Sequence, residues 1–103
     1  MIKVSVLYPN QEGCTFDMTY YCNTHIPMVR RLLGPAIKGV AVEQGIGGMA
    51  PSSPAPYIAM GHLLFDSIEA FEKAFEDHAP ALLADIPNYT NTQPVIQISE
   101  VKL

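Results

Sequence analysis

The nine residues Tyr57 to Phe65, YIAMGHLLF, are apolar on both faces of any strand they form, with His62 the only basic side chain among them. Such a strand must be covered on both sides. It is too short to cross a bilayer, which takes about 17–25 apolar residues as a helix, so no membrane segment is expected and the chain has to supply covering layers. The remaining residues read as those layers. Residues 2–8 alternate Ile2, Val4, Val6 and Tyr8 against Lys3, Ser5 and Leu7, a period of two that predicts a strand ended by Pro9-Asn10. From Asp17 to Leu33 the spacing Met18, Tyr21, Cys22, His25, Val29, Leu32 is that of an amphipathic helix. Thr15 or Asp17 caps its start and Gly34-Pro35 stops it. Pro27 lies inside that ladder and predicts a kink just after His25.

Ile37 to Gln44 predicts a second strand, and Gly45 to Pro56, with three Gly, three Pro and two Ser, a loop long enough to be a lid. After the Tyr57–Phe65 strand, Asp66 with Glu69 resembles a capping box for a helix running to about His78. Pro80 opens a short helical piece through Ala84, Asp85 to Asn91 reads as a loop, and Pro94 to Val101 alternates as a last strand. The order β-α-β-β-α-β is the ferredoxin-like α+β pattern, a four-stranded antiparallel sheet with two helices on one face. Residues 1–103 suffice for one such domain.

Hydrophobic residues make up 49% of the chain and charged ones 16%, below the usual figure of about 25%. A domain this small buries only about 60–70% of the surface its unfolded chain exposes. The surplus apolar surface, and the sheet face without helices, predict a homodimer packed sheet to sheet and an apolar pocket for a small hydrophobic molecule. The net charge of -4, with no basic stripe, excludes nucleic acid and anionic membrane surfaces as partners. The start Met1-Ile2-Lys3-Val4 reads as strand, without a charged leader or cleavage site, so a cytoplasmic location is expected. Cys14 and Cys22 read as two reduced thiols.

Of the three histidines, His25 falls at the centre of the first helix's apolar arc, beside the Pro27 kink. There it is either an acid/base facing a pocket or a neutral buried histidine bonded to a carbonyl freed by Pro27. His62 shares a strand face with Ile58, Met60 and Leu64, lining either the helix-sheet cleft or the dimer face, and His78 reads as a cation at the second helix's end. Cys22 and His25 at i and i+3, with His62 as a third group, have metal-ligand spacing, but no fourth ligand is evident and no metal is expected. Tyr20, Tyr21, Tyr57 and Tyr89 fall near element ends or in loops, where a phenol can hold a ligand or simply pack. Arg30 and Arg31 read as surface partners for acids such as Glu43.

The segments Tyr20-Tyr21-x-x-x-His25-Ile26-Pro27, Gly61-His62-Leu63-Leu64-Phe65, Ile86-Pro87-Asn88-Tyr89-Thr90-Asn91 and Pro94 to Val101 together resemble the EthD family. The resemblance implies a ferredoxin-like dimeric α+β barrel. It also implies an association with catabolism of ethyl tert-butyl ether beside a cytochrome P450 system. By resemblance His25 is the motif histidine, and Tyr21, His62 and Tyr89 are pocket candidates. It leaves three readings: a cofactor-free enzyme of oxidoreductase, lyase or isomerase type using His25 as acid/base; a noncatalytic carrier supporting an oxygenase; and, from superfamily relatives, a haem protein.

Overall fold

The alternating segments pair as their periodicity requires. In a computed structural model describing residues 1–103, strands β1 (Ile2–Pro9), β2 (Gly39–Gln44), β3 (Tyr57–Phe65) and β4 (Val95–Glu100) form one antiparallel sheet in the order β2-β3-β1-β4. This is the expected ferredoxin-like arrangement. The register sets which side chains share a face. Val4 lies opposite Leu63 and Ile98, and Val6 opposite Gly61 and Ile96, so Ile2, Val4, Val6 and Tyr8 point with the odd-numbered residues of β3 towards the helices. Ser5 lies opposite His62 on the other face.

The first helix is three joined pieces. α1 (Met18–Tyr20) is capped by Asp17, whose carboxylate accepts the Tyr20 N–H, as one of the two expected caps should. A π-helical turn, Tyr21–His25, follows, and α2 (Ile26–Leu33) runs on to Gly34, which adopts φ +62°. The expected kink is therefore a widened turn lying before Pro27 rather than a bend after His25. Pro27 has no N–H to return to that turn, and the Ile26 N–H bonds instead to the Tyr21 carbonyl five residues back.

The second helical layer is shorter and capped differently than the sequence suggested. α3 spans Ile68–Phe75, and Ser67 rather than Asp66 is its cap, accepting the Ala70 N–H at 3.1 Å. Ser67 has the extended backbone that a cap needs, whereas Asp66 only approaches Lys38 at 3.8 Å. His78 does not end α3; it precedes α4 (Ala79–Ala84), which Pro80 begins. A 3-10 turn, Ile86–Asn88, occupies part of the segment expected to be loop.

Buried side chains gather in two clusters between sheet and helices. One joins Ile2, Val4, Val29, Leu33, Phe65 and Phe71 with Leu82, and the other Tyr8, Tyr21, Ala59 and Tyr89. No helix covers the opposite sheet face, where Leu7, Ile58, Met60 and Leu64 are half-buried. No helix is long and apolar enough to cross a membrane.

Candidate functional site

A cavity of about 140 Å³ lies between the two clusters, and 15 of its 18 lining residues are hydrophobic. Its floor is β1 and β3, through Val4, Val6, Gly61 and Leu63, and its roof is α2 and α3, through Val29, Leu33, Phe71 and Phe75. It opens between α4 and β4, where Leu83, Ile86, Pro94 and Ile96 also border an outer depression. Engineered apolar cavities of about 150 Å³ stay dry and take benzene, so this space is sized for a single six-membered ring.

The polar groups converge at one end. The π turn brings Tyr21 and His25 into parallel stacking, ring centres 5.4 Å apart and planes 13° apart, and both line the cavity. The ring of Tyr89 lies 4.7 Å from that of His25 and 5.0 Å from that of Tyr21. Tyr89 is held inward by its own chain. Its carbonyl accepts the Asp17 N–H at 2.8 Å, and Thr90 Oγ1 donates to the Thr15 carbonyl at 2.7 Å. Tyr8 completes the group from β1, its hydroxyl 2.7 Å from that of Tyr89.

His25 is 6% exposed, and its Nδ1 lies 2.8 Å from Asp85 Oδ2. Asp85 ends α4, and its other oxygen, Oδ1, accepts from Tyr20 Oη at 2.7 Å and from Asn88 Nδ2 at 2.9 Å. Burial pushes the Asp85 carboxyl up, but the hydrogen bonds from Asn88, Tyr20 and His25 outweigh it and hold the group below the usual carboxylate range. Asp85 is thus ionised at neutral pH. Every fully buried side-chain nitrogen or oxygen has a partner. Nε2 of His25 has none, so it is not fully buried, and His25 is one of the residues lining the cavity.

Burial, reinforced by neighbouring phenols, pushes the Tyr8 and Tyr21 hydroxyls far above their ordinary value. Burial does the same at Tyr89. All three are neutral donors near pH 7. Two hydroxyls carry two protons and the Tyr8–Tyr89 bond uses one, which leaves one O–H of the pair unspent. The cavity therefore presents one imidazole nitrogen and phenolic donors at one end of an otherwise greasy wall.

Of the expected site residues, the structure brings together His25, Tyr21 and Tyr89 and sets His62 apart. His62 lies on the uncovered sheet face with both ring nitrogens engaged, Nδ1 2.8 Å from Ser5 Oγ and Nε2 2.9 Å from Glu43 Oε1. Glu43 is thereby taken by His62, and Arg30 and Arg31 are exposed without an ion pair. Cys22 is exposed with its thiol 3.6 Å from Met18 Sδ, away from His62, so those three metal-ligand candidates do not meet. Tyr57 does not line the cavity. Sequence reasoning missed Tyr8 and Asp85. The inward alternation of β1 carried a signal for Tyr8, but nothing local marks Asp85, whose partner is 60 residues away.

The fold recurs in solved structures. An EthD-like protein from Ralstonia eutropha JMP134 is 46% identical, with a TM-score of 0.95 over 99% of this chain and 92% of its own. An ethyl tert-butyl ether degradation (EthD) family protein from Bacillus halodurans C-125 is 24% identical, with a TM-score of 0.75 over 99% of both chains. A dimeric ferredoxin-like protein of unknown function from Thermobifida fusca YX shares the fold at 19% identity, with a TM-score of 0.58 over 97% of this chain and 90% of its own. No curated protein matches the sequence. The EthD domain itself is matched over residues 15–93, a span that carries Tyr21, His25, Asp85 and Tyr89 together, and the chain belongs to the EthD domain family.

Proposed function

We propose that the protein binds one small, largely apolar molecule of single-ring size by its oxygen-bearing end, and that His25 moves a proton there. The observation that carries this reading is the free Nε2 of a buried His25 on an apolar cavity of about 140 Å³. For a cyclic ketone, Nε2 takes the proton from the carbon beside the carbonyl while a phenol O–H of the tyrosine group holds the oxygen that becomes anionic. The protonated Nε2 trades its proton with solvent and returns one to the same carbon, which completes the exchange with water as the only other participant. Cyclohexanone in D2O tests it: deuterium should enter the α-positions faster with the protein than with His25→Ala, as followed by NMR. Equal rates rule out proton transfer by His25. No shift in melting temperature with phenol, toluene or cyclohexanone rules out the pocket as well.

A cavity of about 140 Å³ matches a single ring better than a porphyrin, so it lends the haem reading of His25 no support. The sheet face bearing Leu7, Ile58, Met60 and Leu64 is read as the seat of a second copy, a reading supported by the dimeric Thermobifida fusca neighbour. Light scattering should then give twice the chain mass of 11.3 kDa at micromolar concentration; the mass of a single chain rejects the dimer.

A further inference from the structure

We propose that Asp85, held by Tyr20 and Asn88, is a positioning residue that fixes His25 in the tautomer with its proton on Nδ1. Nε2 then meets the cavity as an acceptor, and the cavity prefers hydroxyl-bearing rings to methyl-bearing rings of the same shape. The selectivity rests on the ligand-binding reading above; the tautomer does not.

A carboxylate only accepts hydrogen bonds, so at 2.8 Å from Asp85 Oδ2 the proton of the contact must sit on Nδ1 of His25. A neutral imidazole then has its lone pair on Nε2. The carboxylate cannot turn away, because Oδ1 accepts from Tyr20 Oη and Asn88 Nδ2 on the far side. A phenol in the cavity donates to Nε2 and accepts from the unspent phenol O–H of the Tyr8–Tyr89 pair. Toluene, of nearly the same shape, leaves both groups unpaired.

Asp85→Asn reverses the donor and acceptor at this contact. Two donors converge on the Oδ1 position, so the amide oxygen stays there and the NH2 group faces His25. That group donates to Nδ1 and drives the proton to Nε2, which inverts the polarity of the cavity's nitrogen with no change in volume.

The experiment is imidazole 15N NMR of the full chain at neutral pH, with His25 assigned by comparison with His62→Gln and His78→Gln. The expected spectrum shows a protonated Nδ1 and an unprotonated Nε2 in the wild type and the reverse in Asp85→Asn. A wild-type ring protonated on Nε2, or on both nitrogens, overturns the proposal, and this reading needs no variant to fold. Titration with phenol and toluene supplies the second arm. The preference for phenol should fall roughly tenfold or more in Asp85→Asn, the worth of one hydrogen bond and the desolvation it offsets. Equal loss of both affinities marks Asp85 as merely structural. If neither probe binds the wild type, the ligand reading and its selectivity fail, while the spectrum still decides the tautomer.

Discussion

Gly61→Ala probes how tightly the aromatic end of the cavity is built. Gly61 sits on β3 opposite Val6 and Val42, on the helix-facing side, and a Cβ there runs directly into the Tyr21 hydroxyl. The Tyr21 ring cannot easily step aside. It is 2% exposed and enclosed by Phe16, Tyr8, Tyr89 and His25, with ring centres 5.1, 5.7, 5.0 and 5.4 Å away. Forcing a methyl into such packing costs about 1–3 kcal/mol. The backbone works the other way, since glycine inside a strand is about 0.5–1 kcal/mol worse than alanine. The net loss lies between about zero and 2.5 kcal/mol, and at its midpoint near 1 kcal/mol it lowers the melting temperature of a chain of this size by roughly 4–8 °C. The one direction open to Tyr21 is into the cavity, so uptake of phenol or toluene should fall as well. Differential scanning calorimetry with and without phenol reads both effects. A variant as stable as the wild type that still takes up the ring would show that Tyr21 is not confined as described.

Three further outcomes follow from the same geometry. Thr92→Val removes the hydroxyl that donates to the Pro9 carbonyl at 2.9 Å and should cost about 1–2 kcal/mol in urea unfolding; an unchanged midpoint contradicts the role given to that bond. Because the folded Asp85 carboxyl lies below its usual range, its stabilising contribution is complete above about pH 4 and lost as the pH falls through the folded value. The stability gap between wild type and Asp85→Asn should therefore close in acid, and a gap that stays constant down to pH 2 refutes this assignment. At the other extreme, Tyr8, Tyr21 and Tyr89 stay protonated past the ordinary phenol value, so the fold should lose stability as pH rises above about 10. In a phenolate absorbance titration these three should ionise only as the chain unfolds; reversible ionisation of all five tyrosines in the folded state contradicts their burial.

The sheet was legible because its information is local. Alternation within β1 and the continuous apolar run of β3 identify strands without reference to anything else, and Tyr57–Phe65 kept its bounds. Helix boundaries depend on competition between neighbours. Ser67 took the cap from Asp66 one residue away, and α3 stopped at Phe75, three residues before the expected His78. Pro27 announced a disturbance, but its form, a π turn that stacks Tyr21 on His25, depends on where the displaced N–H finds a carbonyl. The site was legible only in part. His25, Tyr21 and Tyr89 stand out as ionisable or polar groups within apolar patterns, whereas Asp85 looks like any acid in a loop until α4 carries it against a helix 60 residues earlier. His62 shows the converse: its strand face was readable, but only the register with β1 and the placement of the helices determine that this face is the uncovered one.

The most direct measurement is a crystal structure of the protein grown with phenol. The expected result is one phenol between sheet and helices, its oxygen within hydrogen-bond distance of His25 Nε2 and of a hydroxyl of the Tyr8–Tyr89 pair, and its ring against Val4, Val6 and Leu63. Side chains closed over an empty centre, or phenol found only on the outer surface, would contradict the central claim.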